Sequence, residues 1–105
     1  MRTLTTKATE ITNFALFREY VHNCDNGQLM GLVIEADYAN AHGYFKHGFY
    51  CDNVKDTISV NNPRTVGVAT ILDMCICIGQ ELIERVVNGT FDENEIVARR
   101  MLMKE

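Results

Sequence analysis

A chain of 105 residues with 47% hydrophobic and 23% charged side chains has the balance of one globular domain. A chain this short buries about two-thirds of its unfolded surface, enough for one core, so residues 1–105 are expected to form a single compact domain. Fourteen acidic against ten basic residues give a net charge of −4, whose field repels phosphate backbones and anionic lipid; nucleic acid and membranes are not expected partners.

One proline, seven glycines and no low-complexity tract give no compositional case for a linker or a disordered arm. Met1 to Lys7 lacks the apolar stretch of a secretory signal, so a cytoplasmic location is expected. In that compartment the four cysteines read as reduced thiols, and the Asn88-Gly89-Thr90 sequon as coincidence.

The first predicted element is a helix from Thr9 or Glu10 to His22, capped by Thr6 or Thr9. Its spacing sets Ile11, Phe14, Phe17, Tyr20 and Val21 on one side, with Thr12, Arg18 and Glu19 mostly away from it. Asn23-Cys24-Asp25-Asn26-Gly27 then supplies turn formers in succession.

From Gln28 to Tyr38, read as a helix, Glu35, Asp37 and Asn40 scatter around the wheel. Read as a strand, Met30, Leu32, Ile34, Ala36 and Tyr38 form an unbroken apolar set at period two, which predicts a strand. Asn40 to Gly43 turns the chain into a second strand, Tyr44 to Cys51, with Phe45, His47, Phe49 and Cys51 on one face. Thr57 to Val60 alternates again, completing a short antiparallel three-stranded meander.

Asn61-Asn62-Pro63 combines a favoured cap with a favoured first helical residue, so a long central helix is predicted from Pro63 to about Asn88. Thr70, Asp73, Cys77, Gln80, Glu81, Glu84, Arg85 and Asn88 share one arc, read as its solvent side. Val68, Ile71, Leu72, Cys75, Ile76, Gly79, Leu82, Ile83 and Val86 make a wide apolar face. Gly79 lies near the middle of that face, where a missing side chain permits close backbone approach, to the sheet or to a symmetry mate.

Gly89 is the expected left-handed cap, and Thr90 to Glu93 has capping-box spacing. A last helix follows from Phe91 to about Lys104, with Phe91, Val97, Ala98, Met101 and Leu102 inward and Ile96 and Met103 on another side. Arg99, Arg100 and Lys104 read as a solvated basic face. The predicted fold is therefore α+β: an N-terminal helix, the meander, the long central helix and a C-terminal helix. An all-α bundle is the alternative if residues 28–42 are helical.

The chemistry-bearing groups are sparse. His22, Cys24, His42, His47 and Cys51 are ligand types for zinc, but their spacing matches no finger or ribbon and there is no Cys-x-x-Cys knuckle, so no metal site is assigned. Cys75 and Cys77, two apart on a helix, point away from each other. Glu35, Asp37, His42, His47 and Asp73 are acid/base candidates, with Asp73 interrupting an apolar run yet lying on the polar arc. No nucleophile elbow, phosphate loop or dinucleotide fingerprint is present, and Gly43 and Gly48 read as turn or bulge glycines. No catalytic residue or cofactor is therefore assigned.

Five of the nine aromatics fall between Tyr38 and Tyr50. Tyr44, Lys46, His47 and Tyr50 are the candidate residues for binding a ligand or partner. The expected function is that of a small non-enzymatic interaction or regulatory protein, an inhibitor or accessory factor acting on a larger protein, associating with itself as a homodimer or higher oligomer. The alternative is a small-molecule or nucleotide-binding protein whose site those four residues line.

Overall fold

The computed structural model describes residues 7–61 and 67–103, with side chains through Met101. A 3-10 turn (Ala8–Glu10) leads into five helices: α1 (Phe14–Asn23), α2 (Asn26–His42), α3 (Tyr50–Asn61), α4 (Val68–Val87) and α5 (Glu93–Met103). Among the described residues there is no strand. The fold is all-α, and the α+β prediction with its meander is overturned.

The N-terminal helix starts later than the threonines suggest. Asn13 is its cap, accepting the Leu16 N–H at 2.9 Å. Ile11, Phe17 and Val21 are buried, with Phe14 and Tyr20 half-buried beside them, as the spacing predicts.

The segment read as turn plus strand is instead α2. Asp25 accepts the Gln28 N–H at 2.8 Å while the Gln28 side chain accepts the Asp25 N–H at 2.9 Å, a reciprocal cap that carries Asn26 and Gly27 into the helix. Leu29, Leu32, Val33, Ala36 and Ala39 are buried at the helical period. The polar scatter that argued for a strand has a tertiary cause. The Glu35 carboxylate accepts the Cys51 N–H at 2.8 Å and so satisfies the start of α3. Asp37 meets Arg100 of α5 through both Nε, at 2.8 Å, and Nη2. Neither carboxylate needs a solvent face. The helix ends at Gly43, whose φ of 86° is one that side chains resist and whose N–H reaches the Ala39 carbonyl at 2.7 Å.

The other two predicted strands also resolve as loop and helix. Tyr44 to Phe49 forms the α2–α3 loop, and Tyr50 opens α3, which buries Cys51, Val54 and Ile58. Thr57 is compatible with helix because its hydroxyl donates back to the Asn53 carbonyl at 3.1 Å. The predicted boundary at Asn62-Pro63 lies outside the described residues.

Helix α4 packs against α1, α2 and α3, and is the central element the sequence suggests. Its orientation is not the predicted one. The buried side carries Thr70, Met74, Cys77, Ile78 and Arg85, three of them apolar, one a hydroxyl and one a cation, while Val68, Leu72, Ile76, Ile83 and Val87 face out. At about 100° per residue, the helix is turned by more than a quarter-turn from the placement its apolar arc implies. It ends as expected, with Gly89 at φ 80°.

The α5 boundary differs too. Thr90 donates its hydroxyl to the Arg85 carbonyl at 3.2 Å, serving the end of α4, and Asp92 accepts the Asn94 N–H at 2.8 Å at the start of α5. Phe91 and Ile96 are the buried residues here, whereas Val97, Ala98 and Met101, predicted inward, are exposed. Predictions for Leu102, Met103 and Lys104 side chains lie outside the described residues. Arg99 pairs with Glu95, and Arg100 binds α5 to α2 through Asp37.

Candidate functional site

The four residues predicted to bind a ligand or partner share a corner of the molecule but not a site. Tyr44, Lys46 and His47 stand in solvent on the α2–α3 loop, with the His47 Nδ1 3.9 Å from an Asp52 oxygen. The Tyr44 ring meets Tyr38 edge-on at 5.9 Å, and Tyr38 in turn lies 4.1 Å from the His42 ring and 5.5 Å from Phe49. Tyr50 turns the other way. Its ring stacks on Tyr20 at 5.1 Å, and burial raises its hydroxyl pKa while raising that of Tyr20 to about 12. These rings pack on one another, so the aromatic concentration between residues 38 and 50 serves mostly to seal the α2–α3 corner.

The metal-ligand types are dispersed. His22 reaches Glu81, His42 joins the aromatic cluster, His47 is in solvent, and Cys24 and Cys51 are buried thiols. Among the described residues no three His, Cys, Asp or Glu side chains converge. Of the acid/base candidates, Glu35 and Asp37 are engaged in joining helices, and Asp73 is exposed on α4.

Two features of α4 are placed otherwise than the sequence reading has them. The first is Arg85, assigned to the solvent arc. Its guanidinium is buried at the end of α1, where it donates to the carbonyl oxygens of Cys24 (2.6 Å), His22 (3.1 Å) and Val21 (3.4 Å) and to the Asn26 side chain (3.0 Å). Glu81, one turn earlier, holds Arg85 Nε at 2.8 Å and the His22 ring at 3.1 Å. Between α1 and α4 this network borders an open cleft of about 410 Å³, lined by Arg18, Glu19, Gln80 and Glu84 among others. The Glu81–Arg85 spacing of four residues was the available signal.

The second is the outward stripe. Val68, Leu72, Ile76, Ile83 and Val87 are between 44% and 80% exposed, and all five lie on one side of the helix. Gly79 sits in the middle, and a methyl group there would meet no atom of the described residues within 4 Å. Asp73, Gln80 and Glu84 run along one edge of the stripe, all exposed. The other edge is formed by Ile71, Cys75, Leu82 and Val86, which are half-buried against the core. The solvent side of the central helix is thus largely aliphatic, and its buried side carries an ion pair.

No protein-family model, curated protein or solved structure matches this chain. No helix among the described residues is long and apolar enough to cross a membrane.

Proposed function

We propose that this chain is a small non-enzymatic interaction and regulatory module of the cytoplasm that works as an assembly of its own copies, joined through the outward face of α4. The observation that carries this reading is the aliphatic stripe itself. Its five side chains expose on the order of 500 Å² per copy, so a pair covers roughly 1,000 Å², the size at which specific association begins. A second copy is the natural occupant because it brings the same stripe, and a two-fold contact requires only a self-complementary surface. Four unbonded cysteines suit a reducing compartment.

Action on a larger protein, as inhibitor or accessory factor, falls in this reading to surfaces other than α4. Tyr44, Lys46 and His47 stand in solvent on the α2–α3 loop. The alternative of a small-molecule or nucleotide site lined by Tyr44, Lys46, His47 and Tyr50 draws no support from a geometry in which Tyr50 stacks on Tyr20.

Sedimentation velocity from micromolar to several hundred micromolar protein tests the reading. The wild-type chain is expected to dimerise or assemble further, and Ile76→Glu and Ile83→Glu, at exposed positions, are expected to be folded monomers by circular dichroism. A wild-type chain that stays monomeric throughout that range overturns the proposal.

A further inference from the structure

We infer that two copies pair with their α4 helices antiparallel, about a two-fold axis at Gly79, where the two backbones come close. This rests on the self-association proposed above and adds its geometry.

Register is the first argument. Ala69, Leu72, Ile76, Gly79 and Ile83 alternate in steps of three and four, the spacing of a helix-pairing seam. That seam reads nearly alike in both directions. Ile76 and Ile83 lie three residues before and four after Gly79, and Leu72 and Val87 lie seven before and eight after. Reversing one helix about Gly79 therefore sets Ile76 against Ile83 of the second copy and Leu72 against its Val87.

The edges of the seam fix the direction. One edge carries Ile71, Cys75, Leu82 and Val86, and the other carries Asp73, Gln80 and Glu84. In an antiparallel pair each edge meets the same edge of its partner, so Cys75 lies against Leu82 of the second copy and Gln80 against its Gln80, while Asp73 comes level with its Glu84 and Val87. A parallel pair would lay the carboxylate and amide of one copy along the aliphatic edge of the other, desolvating them without partners.

Gly79 supplies the close approach. Glycine within a helix costs about 1 kcal/mol relative to alanine. No described residue asks for that cost, since a Cβ at position 79 would meet none of their heavy atoms within 4 Å. A second helix crossing there gives the glycine a role, with axes at about 8 Å, the near end of the ordinary packing range.

The test uses full-length Ile76→Cys and Ile83→Cys chains, alone and mixed, under mild oxidation, with wild-type as the control for the native thiols. Sedimentation velocity is run on the same samples before oxidation. Antiparallel pairing predicts a covalent dimer chiefly in the mixture. Covalent dimers formed as readily by Ile83→Cys alone indicate parallel helices and overturn the inference, leaving self-association standing. A non-covalent dimer that cross-links in no sample places the contact elsewhere and overturns it as well. A monomer in sedimentation removes both this inference and the reading beneath it. Gly79→Leu gives an independent check. Position 79 lies on the exposed stripe with no described atom within 4 Å of a Cβ, so the melting temperature of the monomer should not fall, yet the close crossing predicts association weakened at least about tenfold. Association unchanged or tightened in Gly79→Leu rules out a close crossing at Gly79.

Discussion

The guanidinium of Arg85, in the last turn of α4, donates to the carbonyl oxygen of Cys24 at 2.6 Å and to that of His22 at 3.1 Å, closing the end of α1. The last carbonyls of a helix have no partners within it, and the end carries the negative pole of the helix dipole. One buried cation answers both conditions, and Glu81 balances its charge from one turn away. The chain junction between α1 and α2 is therefore fastened to α4 by charge as well as by the packing of Val21 and Cys24 into the core.

Arg85→Met should accordingly destabilise the fold by about 3–5 kcal/mol, because it strands the Glu81 carboxylate and several buried carbonyls while keeping the apolar stem. Arg85→Lys keeps the charge but not the fork of donors, and should cost about 1–3 kcal/mol. Urea unfolding followed by circular dichroism measures both. Losses below 1 kcal/mol for Arg85→Met would show that water replaces the guanidinium at no cost.

Acid should weaken the same junction. Burial raises the Glu81 pKa, but hydrogen bonds from Arg85 and His22 outweigh it and hold the carboxyl below its ordinary 4.5. A carboxyl with a depressed folded-state pKa contributes stability above the unfolded value, and that contribution is lost as pH falls through the folded one. Stability should therefore drop on acidification below about pH 4.5, and Glu81→Gln, less stable at neutral pH, should lose less over the same range. Urea midpoints at pH 6 and pH 3 for the two proteins give the comparison. Equal losses would assign the acid sensitivity to other carboxyls.

What was legible in the sequence were features with local causes. The Ile11, Phe17 and Val21 face of α1, the end of α4 and the Gly89 cap each follow from spacing or from one residue's backbone freedom. Residues 28–60 misled because their polar groups are used between helices. Glu35 satisfies the start of α3 and Asp37 binds Arg100, so α2 has no polar stripe to betray its period, and the chance alternation from Met30 to Tyr38 mimics a strand. The same reasoning failed on α4, where Thr70, Cys77 and Arg85 of the polar arc point inward while Asp73, Gln80 and Glu84 stay exposed. Of the candidate binding residues, Tyr44, Lys46 and His47 are on the surface, but the turn of Tyr50 onto Tyr20 depends on tertiary packing that period-two reading could not anticipate.

Thr70 offers a stabilising substitution. It is fully buried near the start of α4, and its hydroxyl oxygen has no hydrogen-bond partner among the described residues. Thr70→Val replaces that hydroxyl by a methyl of nearly the same shape and removes the cost of burying it. A gain of about 1 kcal/mol is expected, visible as a rise in Tm of roughly 4–8 °C. A lower Tm would mean that the hydroxyl is satisfied by a bound water.

The cysteines should behave as core residues and not as reagents. Burial, foremost, pushes the Cys24 thiol up to about 11, with the Tyr20 hydrogen bond and the Arg85 charge opposing it, and burial likewise raises Cys51, with Glu35 adding to the effect. Cys75 is raised too, by burial and then by Asp37. Since only the thiolate attacks a disulfide reagent, a thiol of that pKa is ionised to about one part in a thousand at pH 8. Labelling of native protein with an aromatic disulfide at pH 8 should therefore be slow at these three positions, with all four cysteines of the chain reacting promptly once urea unfolds it. Mass mapping of the first site labelled identifies any exception. Rapid modification of Cys24 would mean that the α1–α2 junction opens readily despite Arg85, and it would contradict the stability cost predicted for losing that side chain.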